Sequence, residues 1–196
     1  MSPAEVVSVN VSLPREIAWR GRRIRTSFFK EPRVGPMAVG PEGLRGDEVG
    51  DPRVHGGPRK AVYAYPVEHY PFWCTELALD RLTWGSFGEN LSLRGVTEEN
   101  VRSGDRLEIG TAILEVTRPR SPCFKMNVRF GREDMVRRFA HAGRSGFYLG
   151  VVRPGQLRPG DEVRVRHGSA TGPTIAEQFV TMTQGPVDPA AELDDE

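Results

Sequence analysis

Glycine and proline interrupt this chain along its whole length, and no other feature of the sequence constrains the fold as strongly. The 196 residues include 22 glycines and 16 prolines. Because both residue types break regular elements and favour turns, the segments between them are short. Short segments joined by many turns are typical of a β-barrel or sandwich rather than a helical bundle. The sequence therefore predicts a mainly β protein with a few short helices.

Hydrophobic periodicity places the individual elements. Val7, Val9 and Val11 alternate with polar residues, which predicts a half-buried first strand, and residues 17–29 predict a hairpin with a glycine turn. Further strands are predicted at residues 60–65, 112–117, 147–152 and 162–166. Apolar residues at helical spacing predict helices at residues 66–82, 133–141 and 173–182.

The length of the chain suits one well-buried core. We expect a β-barrel domain over residues 1–168, a short helical segment over 169–184, and a disordered acidic tail over 185–196. The net charge of +1 gives no general attraction to nucleic acid. No apolar stretch is long enough to cross a membrane, no secretory signal opens the chain, and only two cysteines are present. These features predict a soluble cytoplasmic protein with free thiols.

One cysteine stands out by its surroundings. Cys123 follows a predicted strand, and Ser121 and Pro122 suit the N-cap and first position of a helix. Positive side chains flank it at Arg118, Arg120 and Lys125. A helix start and nearby cations both favour the thiolate, which can attack an electrophile or bind a soft metal. A small buried residue is the commonest fate of a free cysteine, and we assign that structural role to Cys74, which has apolar neighbours.

Three other segments carry candidate ligand-binding residues, each with a plainer alternative. His55, Gly56 and Lys60 surround a His-Gly-Gly turn that a ligand can approach closely, or they form a solvated connector. Glu89 and Asn90 follow Phe87-Gly and either orient a ligand or complete a turn. Arg144 follows a glycine and either pairs with phosphate or caps a helix.

Together these segments resemble the MOSC family, named for the molybdenum cofactor sulfurase C-terminal domain. The four stretches are HGGPRKAVYAYPVEHYPFW, FGENLSLRG, RPRSPCFKMNVRF and GRSGFYLGVVRPG, in this order. They are most similar to the stand-alone bacterial branch of the family, and the resemblance spans about residues 7–165. It implies a MOSC-type β-barrel, in agreement with the strand pattern.

The resemblance also implies a molybdenum–pterin cofactor whose metal is ligated by the Cys123 sulfur. The residues that it implies for holding the pterin and its phosphate are Lys60, Arg118, Arg120, Ser121 and Arg144. Those that it implies for lining the cofactor pocket are His55, Gly56, Glu89 and Asn90.

By the same resemblance the chain is an oxidoreductase that reduces N-hydroxylated compounds to amines, and Glu89 or His55 delivers a proton. The sequence has neither a ferredoxin-like cysteine set nor a nucleotide-binding glycine fingerprint. Electrons would therefore come from a separate donor protein. Two alternatives remain open: a sulfur carrier that holds a persulfide on Cys123, and a protein that binds the cofactor without turnover.

Overall fold

Thirteen strands and four α-helices make up the part of the chain that the computed structural model describes, residues 3–50, 56–168 and 171–184. The strands are β1 Glu5–Val11, β2 Arg15–Trp19, β3 Arg22–Thr26, β4 Glu31–Arg33, β5 Met37–Gly40, β6 Gly43–Leu44, β7 Val62–Pro66, β8 Leu91–Arg94, β9 Arg106–Ile109, β10 Ala112–Pro119, β11 Phe147–Arg153, β12 Gly155–Leu157 and β13 Val163–Arg166. The helices are α1 Tyr70–Leu77, α2 Lys125–Phe130, α3 Met135–Ala142 and α4 Ile175–Gln184. The prediction of a mainly β protein with a few short helices is confirmed.

Eight of the strands form one mixed sheet in the order β13-β9-β10-β11-β7-β8-β1-β4. All neighbours in it are antiparallel except β7 and β8, which run parallel. Strands β12, β5 and β6 form a second sheet, and β2 and β3 form an isolated hairpin. The hairpin turn is Arg20-Gly21, and both residues have positive φ, as the tight turn requires.

The large sheet bends so that its β13 edge approaches the start of β1. The Val6 amide donates to the Asp161 carbonyl at 2.9 Å, and the Val163 amide donates to the Ala4 carbonyl at 2.8 Å. These hydrogen bonds surround a single isolated bridge between Glu5 and Glu162. In the described residues β1 and β13 form no continuous ladder. The predicted closed barrel is therefore not confirmed.

Two apolar clusters stabilise the fold. The first fills the concave side of the large sheet and is built mostly from aliphatic residues such as Val9, Leu91 and Leu114. The second is aromatic and lies under α1, α2 and α3, with Tyr65 and Phe87 stacked at 4.6 Å between ring centroids. Trp73 of α1 is completely buried there, and its indole N–H donates to the Tyr65 hydroxyl at 2.6 Å.

Several elements differ in extent from their predictions. Strand β1 is buried on both faces rather than half-buried, because its polar residues pair internally: Ser8 donates to Asn10 at 2.7 Å, and Asn10 donates to Ser92 at 3.1 Å. Helix α1 begins only at Tyr70, which leaves Pro71 in the first turn, where its missing amide costs nothing. Helix α4 is present at the predicted place, beginning at Ile175, and the predicted tail lies outside the described residues.

The described residues contain no helix with the length and apolar character that a membrane crossing requires.

Candidate functional site

A cavity of about 810 Å³ opens beside the ends of β3, β7 and β11. Its walls come from the segment after β3, from residues 41–50, from the turn at residues 56–61, and from the segment between β10 and α2. Six of the residues singled out in the sequence line it: Gly56, Lys60, Asn90, Arg120, Cys123 and Lys125. The fold therefore brings together residues that lie far apart in the chain.

The Cys123 thiol faces the cavity beside a fixed guanidinium group. Nη2 of Arg120 lies 3.9 Å from Cys123 Sγ, and Nη1 donates to the Phe87 carbonyl. The guanidinium carbon also lies 4.4 Å from the Tyr63 ring centroid and 5.0 Å from that of Phe28. Arg120 is buried between these rings and is held in one orientation, because both faces and both terminal nitrogens have contacts. The structure places Arg120 next to the sulfur and at the cavity wall.

The local helix begins later than the sequence predicts. Helix α2 starts at Lys125 with Phe124 at the N-cap, so Cys123 precedes the helix instead of lying in its first turn. Ser121 does not cap the helix and does not line the cavity; it is exposed, and its hydroxyl contacts Met182 Sδ at 3.3 Å. Positive side chains near Cys123 therefore replace the helix dipole as the local source of positive potential.

Two lysines approach the cavity from opposite walls. Lys60 ends the 3-10 turn Pro58–Lys60, and Lys125 opens α2. Burial, with a smaller contribution from the Arg118 charge, lowers the pKa of Lys60. Gly56 and Gly57 precede this turn with φ of 86° and 88°, a backbone shape that favours glycine. Arg118 itself is exposed and does not line the cavity, and His55 lies outside the described residues.

A buried ion pair that the sequence did not reveal forms another wall. Lys30 Nζ lies 2.5 and 2.6 Å from the two carboxylate oxygens of Asp47, and burial lowers the pKa of Lys30. Asn90 donates to Asp47 at 2.9 Å and to the Asn10 carbonyl at 3.2 Å, and its side-chain oxygen accepts from the Tyr63 amide at 3.0 Å. Asn90 therefore lines the cavity and also connects Asp47 to the backbone of Asn10 and Tyr63.

Glu89 does not fit the predicted role of proton donor. Its carboxylate accepts from the Gly85 amide at 2.8 Å, the Phe87 amide at 3.1 Å, the Ser92 hydroxyl at 2.9 Å and the Tyr70 hydroxyl. Glu89 is completely buried, and burial raises its pKa. It closes the loop from which Gly88 and Asn90 reach the cavity, but its own carboxyl does not line that cavity.

Arg144 belongs to a different cluster, so its assignment to a cofactor phosphate is not supported. Its Nη1 lies 3.0 Å from His69 Nδ1, and its guanidinium carbon lies 4.4 Å from the Phe72 ring centroid. The other ring nitrogen of His69 lies 2.7 Å from Glu98, which also accepts from the Gly146 amide at 2.6 Å. Because the arginine donates to Nδ1, the ring proton is on Nε2 and points to Glu98.

Sequence reasoning missed the contribution of residues 26–50 to the site. Phe28, Lys30 and Asp47 line the cavity, as do Tyr63 and Tyr148 from β7 and β11. The glycines near Asp47 and Tyr148 do not show which residues these side chains meet, whereas the repeated aromatic residues around position 63 could have drawn attention. In the described residues no three His, Cys, Asp or Glu side chains are grouped as a metal ion would require.

A mixed sheet with an open cavity and one thiol at its wall defines a small, mainly β domain. The sequence model of the MOSC domain matches residues 51–164, and the chain belongs to this family. The resemblance inferred from the four sequence segments is thereby confirmed.

Relatives agree with this placement over most of the chain. YflK of Bacillus subtilis is 40% identical over 174 residues, which cover 89% of this chain and 77% of that protein. YiiM of Escherichia coli is 39% identical over 125 residues, 63% of this chain and 56% of that protein. A protein of Gibberella moniliformis named reductase is 36% identical over 146 residues, which are 73% of this chain but 26% of the reductase.

Solved structures show the same fold. The crystal structure of YiiM from Geobacillus stearothermophilus superposes with a TM-score of 0.77 at 31% identity, covering 98% of this chain and 89% of that one. YiiM from Escherichia coli superposes with a TM-score of 0.69 at 27% identity, covering 95% and 79%.

Proposed function

We propose that this chain is a molybdenum-cofactor-dependent oxidoreductase that reduces N-hydroxylated compounds to amines. The observation that carries the proposal is the Cys123 sulfur at the wall of a large cavity, with Arg120 3.9 Å away and Lys60 and Lys125 on the surrounding walls. Membership of the MOSC family supports it, because the family is associated with molybdenum-cofactor binding. The reductase name of one relative supports the class of reaction.

The cavity suits the cofactor in ligand type, and its lining includes four cationic side chains (Lys30, Lys60, Arg120 and Lys125) beside three carboxylates (Glu42, Asp47 and Glu48). A thiolate is a soft ligand of the kind that such metals bind. Cys123 would ligate the metal, and Lys60 and Lys125 would face the phosphate of the pterin. Gly56 and Gly57 leave the backbone open to close approach. When bound, the cofactor supplies a Lewis-acidic, redox-active metal centre that exchanges two electrons.

The protein's own residues would orient the substrate and supply protons. Reduction of R–NHOH to R–NH2 and water consumes two electrons and two protons. Lys60 lines the cavity with a lowered pKa, so that its ammonium group gives up a proton more readily than an ordinary lysine. His55 stays a candidate for the same task, whereas Glu89 is enclosed by its own loop.

The test is expression of the full chain in a host that makes the pterin cofactor. Molybdenum and pterin are quantified in the wild type and in Cys123→Ser, with Cys74→Ser as the matched control. We expect stoichiometric molybdenum in the wild type and the control, and loss of most of it in Cys123→Ser. The wild type and control should then reduce an aromatic amidoxime with reduced viologen as electron source.

Two outcomes would contradict the proposal. A Cys123 persulfide in a protein without metal would indicate a sulfur carrier. Bound molybdenum and pterin without any amidoxime reduction would indicate a protein that holds the cofactor without this turnover.

A further inference from the structure

The β2–β3 hairpin carries a concentration of positive charge that the cavity does not use. Residues 15–25 contain five arginines and one glutamate, whereas the whole chain has a net charge of only +1. Most of the hairpin's side chains are exposed on both strands. The charge of the molecule is therefore distributed unevenly, and its positive part is presented on one projecting element.

Few of these arginines are used to hold the fold. Arg20 at the tip pairs with Glu133 between α2 and α3, and Arg23 lies 3.4 Å from Glu16 on the same hairpin. Within the described ranges, no carboxylate forms an ion pair with Arg22 or Arg25. Exposed pairs of this type contribute little to stability. The arginines therefore offer charge to solvent rather than stability to the hairpin.

The hairpin also presents apolar residues next to its charges. Ile17 pairs with Ile24 across the two strands, and Trp19 pairs with Arg22; the three apolar side chains are only partly buried. Tryptophan and arginine are the residue types most enriched at the energetic centres of protein interfaces. A charged rim around a partly buried tryptophan is typical of a docking surface rather than of a solvated strand pair.

The position of the hairpin ties it to the candidate site. Thr26, the last residue of β3, lines the cavity together with Ser27 and Phe28, which follow it. Phe28 contacts the Arg120 guanidinium, which in turn contacts the Cys123 sulfur. Arg15 of the hairpin and Arg129 of α2 both lie over the Phe29 ring, at 4.3 and 5.1 Å. The C-terminal end of the hairpin is therefore connected to the sulfur through the side chains of Phe28 and Arg120.

We propose that the β2–β3 hairpin is the docking surface for an acidic redox protein that delivers electrons to the cavity. The inference rests on the proposed reductase function, which consumes two electrons per N–O bond broken. These electrons come from one two-electron donor or from two one-electron donors in succession, and each donor leaves in its oxidised form. Charge complementarity selects an acidic partner and raises the rate of encounter. Docking on the hairpin would bring the donor to the Cys123 side of the cavity.

The test measures binding separately from turnover. The probes are an acidic [2Fe–2S] ferredoxin and an acidic flavodoxin, titrated into the full chain at several salt concentrations. The hairpin variant is Arg22→Glu, Arg23→Glu and Arg25→Glu together. The control variant changes the same number of exposed arginines on and near β11 and β13: Arg153→Glu, Arg158→Glu and Arg164→Glu.

We expect at least one acidic probe to bind the wild type and the control, with an affinity that falls as salt rises. The hairpin variant should bind it at least tenfold more weakly, while amidoxime reduction by viologen, which bypasses the partner, stays unchanged. Trp19→Ala should weaken binding without altering the salt dependence. A circular dichroism spectrum and melting temperature like those of the control would establish that the hairpin variant is folded.

The proposal is overturned if neither acidic probe binds the wild type, or if the hairpin and control variants lose affinity equally. It is also overturned if a DNA duplex of about two helical turns binds the hairpin and the acidic proteins do not, since that result would identify a nucleic-acid surface. Loss of viologen-driven turnover in the wild type would instead contradict the reductase function and leave the binding result to stand on its own.

Discussion

The cavity and a second polar cluster contain similar types of side chain, but these side chains have different partners in the two places. In the cavity, Lys60 and Cys123 border open space. In the second group, which we call the Glu98 cluster, His69, Glu98 and Arg144 bond to one another, and Glu98 also accepts from the Gly146 amide. The difference is whether a carboxylate pairs with the side chain. No carboxylate of the described residues pairs with Lys60, which remains available to a ligand, whereas Asp47 pairs with Lys30 in the cavity wall and Glu98 pairs with His69 in its cluster.

The largest expected effect comes from removing that carboxylate. Glu98→Ala leaves the His69 ring N–H and the Gly146 amide without their acceptor, in a network that Arg144 joins through His69. Breaking a buried charged network by removing one partner costs about 3–5 kcal/mol. Urea denaturation should show a loss of this size in the free energy of unfolding.

The neighbouring exposed residue provides the matched control, since Glu99→Ala should change the free energy of unfolding by less than about 0.5 kcal/mol. Equal effects of the two substitutions would mean that the Glu98 cluster does not stabilise the fold, and the comparison between the two clusters would fail.

Glu89 tests whether closeness to the cavity is enough to give a residue a functional role. In Glu89→Gln one acceptor oxygen becomes an NH2 group that faces backbone and hydroxyl donors. We expect a loss of about 1–3 kcal/mol in the free energy of unfolding, the cost of buried groups left unsatisfied. Molybdenum content of the purified variant should equal that of the wild type.

The half-buried Glu115 supplies the control, because Glu115→Gln should affect neither quantity appreciably. If Glu89→Gln kept full stability but lost amidoxime reduction, the carboxyl would have a catalytic role after all, contrary to its enclosed position.

Most of the fold could be predicted from the sequence because it depends on local signals. Alternation and glycine turns located β1, the β2–β3 hairpin, β7, β10 and β11 to within a few residues. Closure into a barrel could not be predicted in this way, because it depends on whether the distant β1 and β13 edges meet. The start of α2 was misplaced by three residues, since Ser121 and Pro122 are good helix-starting residues that the backbone does not use.

The site could be predicted only in part, because spacing shows which residues can act but not which partners they meet. Cys123, Arg120 and Lys60 do meet at the cavity. Arg144 is as able to bind phosphate as Arg120 is, yet it contacts His69 instead. No local sequence pattern indicates this contact between distant residues. Lys30 and Asp47 were missed for the same reason, since their pairing depends on the path of the chain between them.

Lys60 should show the behaviour expected of an available cation. Lys60→Ala removes charge from the cavity wall, so sulfate affinity should fall several-fold, as measured by NMR titration. Because no carboxylate of the described residues pairs with Lys60, the free energy of unfolding should change by less than about 0.5 kcal/mol. Arg153→Ala, at an exposed position on β11, should leave sulfate affinity unchanged. A large loss of stability in Lys60→Ala would mean that this lysine stabilises the fold, as the residues of the Glu98 cluster do.

The pH dependence of sulfate binding is the smallest of the expected effects. It compares the contributions of burial and of the Arg118 charge to the pKa of Lys60. Burial first and the Arg118 charge second lower the pKa of Lys60, so its ammonium group is lost at a lower pH than in an ordinary lysine. Only the protonated form attracts sulfate, whose own charge is constant over this range. Sulfate affinity should therefore fall as pH rises through the lowered pKa. In Arg118→Gln one of the two causes is absent, so this fall should move to higher pH, whereas Arg153→Gln should leave it in place. A midpoint that does not move in Arg118→Gln would mean that burial alone sets the charge of this wall.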